Sequence, residues 1–128
     1  MPFPLRNTPY TRTDIKNQLG GELQTYLPQN KKIILAGCFT VDNMNPDAPA
    51  IIQAGNAGKV SAKAVLLSKQ PETVFPVFLK QKSKDKHYFF EGYFKFKSIS
   101  NRPEVIAAAE MRSGRFDELS YVIKLQKV

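Results

Sequence analysis

From Lys80 to Lys97 the chain reads Lys-Gln-Lys-Ser-Lys-Asp-Lys-His-Tyr-Phe-Phe-Glu-Gly-Tyr-Phe-Lys-Phe-Lys. Ammonium groups interleaved with aromatic rings suit a nucleic acid, because phosphates meet the cations and a base stacks on a ring. Phe39, Tyr88, Phe89 and Tyr93 are the rings suited to stacking, whereas Phe90, Phe94 and Phe96 read as core. Between Lys59 and Ser100 nine lysines stand against Glu72, Asp85 and Glu91, so nine less three leaves six of the chain's eight net positive charges in that segment. Such a field draws in a polyanion and speeds its encounter. The competing reading of the same lysines is a solvated surface that aids solubility.

Other chemistries lack their parts. The chain has a single histidine, His87, and a single cysteine, Cys38. One imidazole cannot build a histidine metal site or a histidine nuclease within one chain. Cys38 sits in an apolar run, where a free thiol behaves as a small hydrophobe, and it lacks the partners of a nucleophilic pair. Gly55-Asn56-Ala57-Gly58-Lys59 has the wrong glycine spacing for a phosphate loop, and no hydroxyl residue follows the lysine. Carboxylates are scattered. A non-catalytic chain with no metal and no cofactor is expected. The lone cysteine, the absence of an apolar run near the roughly 20 residues that span a bilayer, and the polar N-terminus point to a cytoplasmic protein with no membrane partner.

The elements that must position these groups follow from pattern. Residues 1–9, rich in proline, read as an extended arm, and 10–128 as a single domain. A helix begins near Thr13, capped by that hydroxyl and favoured by Asp14, and ends at Gly20-Gly21, where two missing side chains let the backbone approach another group closely. The plain alternative for that pair is a helix stop and a turn. Lys31–Val41 reads as one buried strand, Asp42–Pro49 as a loop, and Ile51–Ala54 as a short strand or turn. Lys59–Lys69 fits either a helix or a strand by pattern, and Val60, Ala64 and Leu67, on one apolar face at helical spacing, favour the helix. Val74–Lys80 is a strand in which Pro76 implies an edge or a bulge. His87–Ile99 places Tyr88, Phe90, Gly92, Phe94 and Phe96 on one face, with Gly92 marking a bend or close crossing. Pro103–Arg112 is a helix packing through Val105, Ala108 and Ala109, and Leu119–Val128 is a last strand. The sum is α+β: a curved, mostly antiparallel β-barrel flanked by two or three short helices.

Five pieces in order carry a family likeness: Tyr10-Thr11-Arg12-x-Asp14-Ile15, Gly20-Gly21-x-x-Gln24, Asn45-Pro46-x-Ala48-Pro49, Phe75-Pro76-Val77-Phe78-Leu79-Lys80 and Tyr88-x-x-Glu91-Gly92-Tyr93. Together, over roughly residues 10–126, they resemble the SRA-like domain of the PUA superfamily found at the N-terminus of bacterial HNH restriction endonucleases and related defence proteins. The resemblance implies a PUA/SRA-like barrel that reads a modified or flipped DNA base. It implies a base pocket from Phe39, Asp42, Asn43, Asn45, Tyr88 and Tyr93. It further implies nucleic-acid contacts from Arg12, Gly20, Gly21, Gln24, Thr25, Tyr26, Lys59, Lys63, Lys80, Lys82, Lys84 and Lys86. Asp42 and Asn43 have a second reading as caps of the Asn45-Pro46 turn. The chain stops after the last expected strand, so it is expected to be either an excised domain or a stand-alone reader that acts through a separate nuclease or effector protein. Two other functions fit the residues: a protein-interaction or regulatory module, and a barrel that binds a small nucleotide.

Overall fold

Thr11 and Asp14 start the first helix by satisfying each other. The Thr11 hydroxyl accepts from the Asp14 N–H at 3.1 Å, and the Asp14 carboxylate accepts from the Thr11 N–H at 2.9 Å. This reciprocal cap opens α1 (Arg12–Leu19), two residues earlier than the expected Thr13, because Thr11 is the hydroxyl that stands three residues before an acid. The bonds from Thr11 hold the Asp14 carboxyl below its usual range. Gly20, at φ +85°, ends the helix. The computed structural model describes residues 2–128; Met1, the first residue of the expected arm, lies outside them.

The expected single strand over residues 31–41 is two. Lys31 and Lys32 both have positive φ and form the two-residue turn of a hairpin, pairing β1 (Gln29–Asn30) with β2 (Ile33–Ile34). β3 (Gly37–Thr40) follows after a break at Leu35-Ala36. The remaining elements are β4 (Ile51–Gly55), α2 (Gly58–Ser68), β5 (Phe75–Lys80), β6 (Phe89–Ser100), α3 (Pro103–Ser113) and β7 (Leu119–Lys127). The larger sheet has the order β3-β5-β6-β7-β4, parallel between β3 and β5 and antiparallel elsewhere. The fold is α+β with three helices and two sheets among the described residues. β3 and β4 are its outer strands and share no ladder, so hydrogen bonding does not close the sheet into a barrel.

Alternation along the strands feeds two apolar layers. β5 sends Phe75, Val77 and Leu79 into the main core, with Phe39 of β3, Ile52 of β4, Phe94 of β6 and Ile123 of β7. The expected face of α2 covers this layer: Ala64 and Leu67 are buried and Val60 packs against it. Phe78 points to the opposite layer, with Ile15, Ala36, Cys38, Tyr88 and Phe90. The expectation that Tyr88, Phe90, Gly92, Phe94 and Phe96 share one face is corrected by a bulge. Gly92 pairs with Val77 but Phe90 pairs with Phe78, which leaves Glu91 as an extra residue. One extra residue inverts a period of two, so Tyr88 and Phe90 enter one layer while Phe94 and Phe96 enter the other. Gly92, at φ +130°, takes the backbone geometry this requires.

Pro76 lies beside that bulge on an interior strand, at a point where β5 has only β6 next to it, because pairing with β3 begins at Val77. In α3, Ala109 and Ser113 are buried whereas the expected Ala108 is exposed. The arm is not loose. Tyr10 and Tyr88 exchange backbone hydrogen bonds of 2.9 and 2.7 Å, and the Phe3 ring lies 4.9 Å from Tyr10 and 5.8 Å from Phe78. No helix among the described residues is long and apolar enough to cross a membrane.

Candidate functional site

β3 and β4 stand at opposite ends of the strand order, yet one side chain joins them. Asn45, in the loop between them, donates from Nδ2 to the Thr40 carbonyl at 3.2 Å and accepts the Gln53 N–H on Oδ1 at 2.7 Å. At Thr40 and Gln53 the free edges of the two strands are therefore one amide apart. Gln53 continues the network: its Nε2 donates to the Ala109 carbonyl at 3.1 Å, and its Oε1 accepts from the Ser113 hydroxyl at 2.6 Å. Asn45, Gln53 and Ser113 are the buried polar residues of the described chain, and all three belong to this one network. Buried polar groups hold a unique arrangement only when every partner is present, and here the amides are satisfied.

A cavity of about 440 Å³ opens where those edges meet. Phe39 and Thr40 of β3, Asn45, Gln53 and Gly55 of β4, and Tyr26 form part of its wall. Arg115 forms another part. Gly114, in the left-handed conformation, ends α3 and turns the chain so that Arg115 reaches back to β4. Its Nη1 donates to the Met44 and Gln53 carbonyls at 3.1 and 3.0 Å. Its Nη2 has no partner among the described residues and faces Gly55, where a Cβ would stand only 3.3 Å away. The Nε is buried and unpartnered. Burial pushes the guanidinium pKa below its usual value, opposed by Glu118, which also lines the cavity. A cation with an unused donor edge beside hydrogen-bonding amides suits a planar, acceptor-rich ligand.

A second cavity of about 760 Å³ adjoins the first, since Gln24, Tyr26, Ala57 and Val60 line both. Between them the Tyr26 hydroxyl donates to the Val60 carbonyl at 2.6 Å, tying the 24–26 loop to the first turn of α2; burial pushes the Tyr26 phenol pKa up. α2 opens on Ala57 without a side-chain cap. Lys59 and Lys63 line the second cavity. Lys63 is already engaged, at 2.6 Å from Glu22 and 3.0 Å from the Leu27 carbonyl. Burial pushes the Glu22 carboxyl up, but Lys63 and the two donors of Gln29 outweigh it and hold the group at about 2.

The expected residues divide between these cavities and other places. Gln24, Tyr26, Phe39 and Asn45 line the first, and Gln24, Thr25, Tyr26, Lys59 and Lys63 the second. Phe39 is 1% exposed and belongs to the core, so little of its ring is free for stacking. The amide of Asn45 is used within the protein. Asp42 and Asn43 are exposed in the loop beyond Thr40 and line neither cavity. Tyr88 is buried in the second apolar layer with Lys80 Nζ 5.2 Å over its ring. Tyr93 is exposed beside Phe90, with ring centroids 5.3 Å apart, and lines neither cavity.

Gly20 caps α1, and Gly21 packs on the chain's own Pro28 and Gln29, where a Cβ would meet atoms at 3.1 and 3.2 Å. Arg12 donates to the Glu22 carbonyl at 3.2 Å and steadies the same loop. Lys80 donates to the carbonyls of Ser83 and Asp85, whereas Lys82, Lys84 and Lys86 are exposed in that turn. Val41 and Asp42 donate to the carbonyls of Lys80 and Gln81, so the lysine turn adjoins the loop that leaves the cavity wall.

Thr40, Gln53, Asn56 and Arg115 are lining residues that sequence reasoning missed. Only the meeting of two non-paired strands assembles them. The one available signal was an arginine directly after a helix-ending glycine. Cys38 also lines the cavity, but burial pushes its thiol up to about 11, with Arg12 opposing, so it is protonated at neutral pH. Among the described residues no cluster of three or more His, Cys, Asp or Glu forms a metal site. No family model, no curated protein and no solved structure matches this chain.

Proposed function

We propose that the chain is a non-catalytic nucleic-acid-binding domain that takes one base, modified or flipped out of a duplex, into the cavity between β3 and β4. The observation that carries this reading is the convergence of the buried polar network and the free Nη2 edge of Arg115 on one cavity of about 440 Å³. That volume falls within the roughly 300–1,000 Å³ of sites that enclose small organic groups. A base presents acceptors on its edge and an apolar face, which the free Nη2 of Arg115, the exposed Gln24 amide and the Tyr26 side answer. Lys59, beside the adjoining second cavity, and the lysines of the turn next to the loop after β3 supply phosphate attraction. In this reading the curled sheet, fastened by Asn45 and not by a ladder, is a partly open barrel of the PUA/SRA kind. A DNA substrate, a defence role and a separate effector belong to the same proposal and rest on the likeness of the five motifs.

Ala57 lines both cavities from an exposed position, so Ala57→Trp obstructs them without disturbing the core. Fluorescence anisotropy with labelled single-stranded and mismatched duplex oligonucleotides is expected to show at least tenfold weaker binding for Ala57→Trp, and a small loss for Lys84→Ala. Binding by Ala57→Trp equal to that of the wild type overturns the proposal.

A further inference from the structure

We infer that the second cavity is a subsite for the nucleotide next to the one whose base is read, so that the ligand is a polynucleotide strand and not a free nucleotide. This inference rests on the base-reading proposal and deepens it. The two cavities share Gln24, Tyr26, Ala57 and Val60 in their walls, and the Tyr26–Val60 hydrogen bond joins two of those residues as a ridge between them. A strand whose base enters the first cavity crosses that ridge to continue.

The chemistry beyond the ridge differs from that before it. Val60, Ala62 and the Tyr26 side give an apolar bed suited to a base face, with no guanidinium to read its edge. Lys59 is exposed and makes no ion pair among the described residues, which leaves its ammonium free for a phosphate. Lys63 is held by Glu22 and shapes the wall instead. From Ala57 to Lys63 the helix advances about 9 Å, which gives the cleft length for a neighbouring residue of a strand. The first cavity therefore selects a base, and the second accepts any base while requiring a backbone phosphate.

The test compares binding of nucleoside 5′-monophosphates, dinucleotides and octanucleotides of each base composition by calorimetry and anisotropy. Ala62→Trp fills the second cavity and not the first from an exposed helix position, Lys59→Glu reverses its free charge, and thermal denaturation verifies that both variants are folded. The wild type is expected to bind its preferred dinucleotide at least tenfold more tightly than the matching mononucleotide. Ala62→Trp is expected to erase that margin and leave mononucleotide binding unchanged, and Lys59→Glu is expected to weaken the dinucleotide more than the mononucleotide. Equal affinity of the wild type for mononucleotide and dinucleotide overturns the subsite and leaves base reading intact, as does an equal loss of both ligands in Ala62→Trp. Absence of binding to every probe overturns base reading and the subsite together.

Discussion

Replacing Asn45 by alanine removes the one side chain that joins the outer strands. Two backbone groups then lose their partner: the N–H of Gln53, a residue only 4% exposed, and the carbonyl of half-buried Thr40. A stranded buried group costs about 1–3 kcal/mol. The Gln53 N–H belongs in the upper part of that range, and the Thr40 carbonyl in the lower part, because water in the adjoining cavity reaches it. The sum is about 3 kcal/mol, which for 128 residues corresponds to a fall in Tm of about 10 °C. Neighbouring Asn43 is exposed and makes no side-chain hydrogen bond among the described residues, so Asn43→Ala is expected within about 0.5 kcal/mol of wild type. Urea denaturation of both variants, with an unchanged m-value to show that the same folded state is being measured, separates the two asparagines. A loss below about 1 kcal/mol for Asn45→Ala, or equal losses for the two variants, refutes the view that this amide fastens the edges.

Glu22→Gln tests the loop that walls both cavities. Because the folded carboxyl is held at about 2 against an ordinary 4.5, its contribution is complete above pH 4.5 and disappears as pH falls toward 2. The carboxylate is 43% exposed, so screening reduces the effect to about 1 kcal/mol at pH 7; urea midpoints should show that gap closing between pH 4.5 and 2, and a gap independent of pH contradicts the pairing. Phe3→Ala strips the half-buried ring that stacks on Phe78 and meets Tyr10, and should cost about 2 kcal/mol in thermal unfolding. An unchanged Tm would mean that the arm is not held by this packing. Replacing Lys82, Lys84 and Lys86 together by alanine should make the plot of log affinity for single-stranded DNA against log salt shallower by about 2, at about 0.7 per lost phosphate contact. An unaltered slope removes that turn from the interface.

Much of the scaffold was legible, and the places where it was not share a cause. Val60, Ala64 and Leu67 at helical spacing do form the buried side of α2, and Pro103 does open α3. The hairpin escaped because its turn rests on positive φ at two lysines, a conformation their residue type does not announce, and the apolar run from Ile33 to Phe39 hides the break at Leu35-Ala36. Gly92 signalled a bend, but counting alternate residues assumes an unbroken pleat, so the exchange of layers between Phe90 and Phe94 stayed hidden.

At the site, Gln24, Tyr26, Phe39, Asn45, Lys59 and Lys63 were singled out from the sequence and do line the two cavities. Their division of labour was not legible. Asn45 lies at the cavity, yet its amide is spent on Thr40 and Gln53, and Gly21 approaches the chain's own backbone. Gln53 and Arg115 come from strand β4 and from the turn after α3, and a linear reading offers no reason to bring them together.

The most direct test titrates isotope-labelled protein with a single-stranded octanucleotide and follows every backbone amide together with the Arg115 Nε–H by NMR. The account predicts saturable shifts at Thr40, Gly55, Asn56 and Arg115, with Phe89 and Tyr93 unmoved. Shifts confined to Lys82–Lys97, with the cavity residues silent, would contradict it.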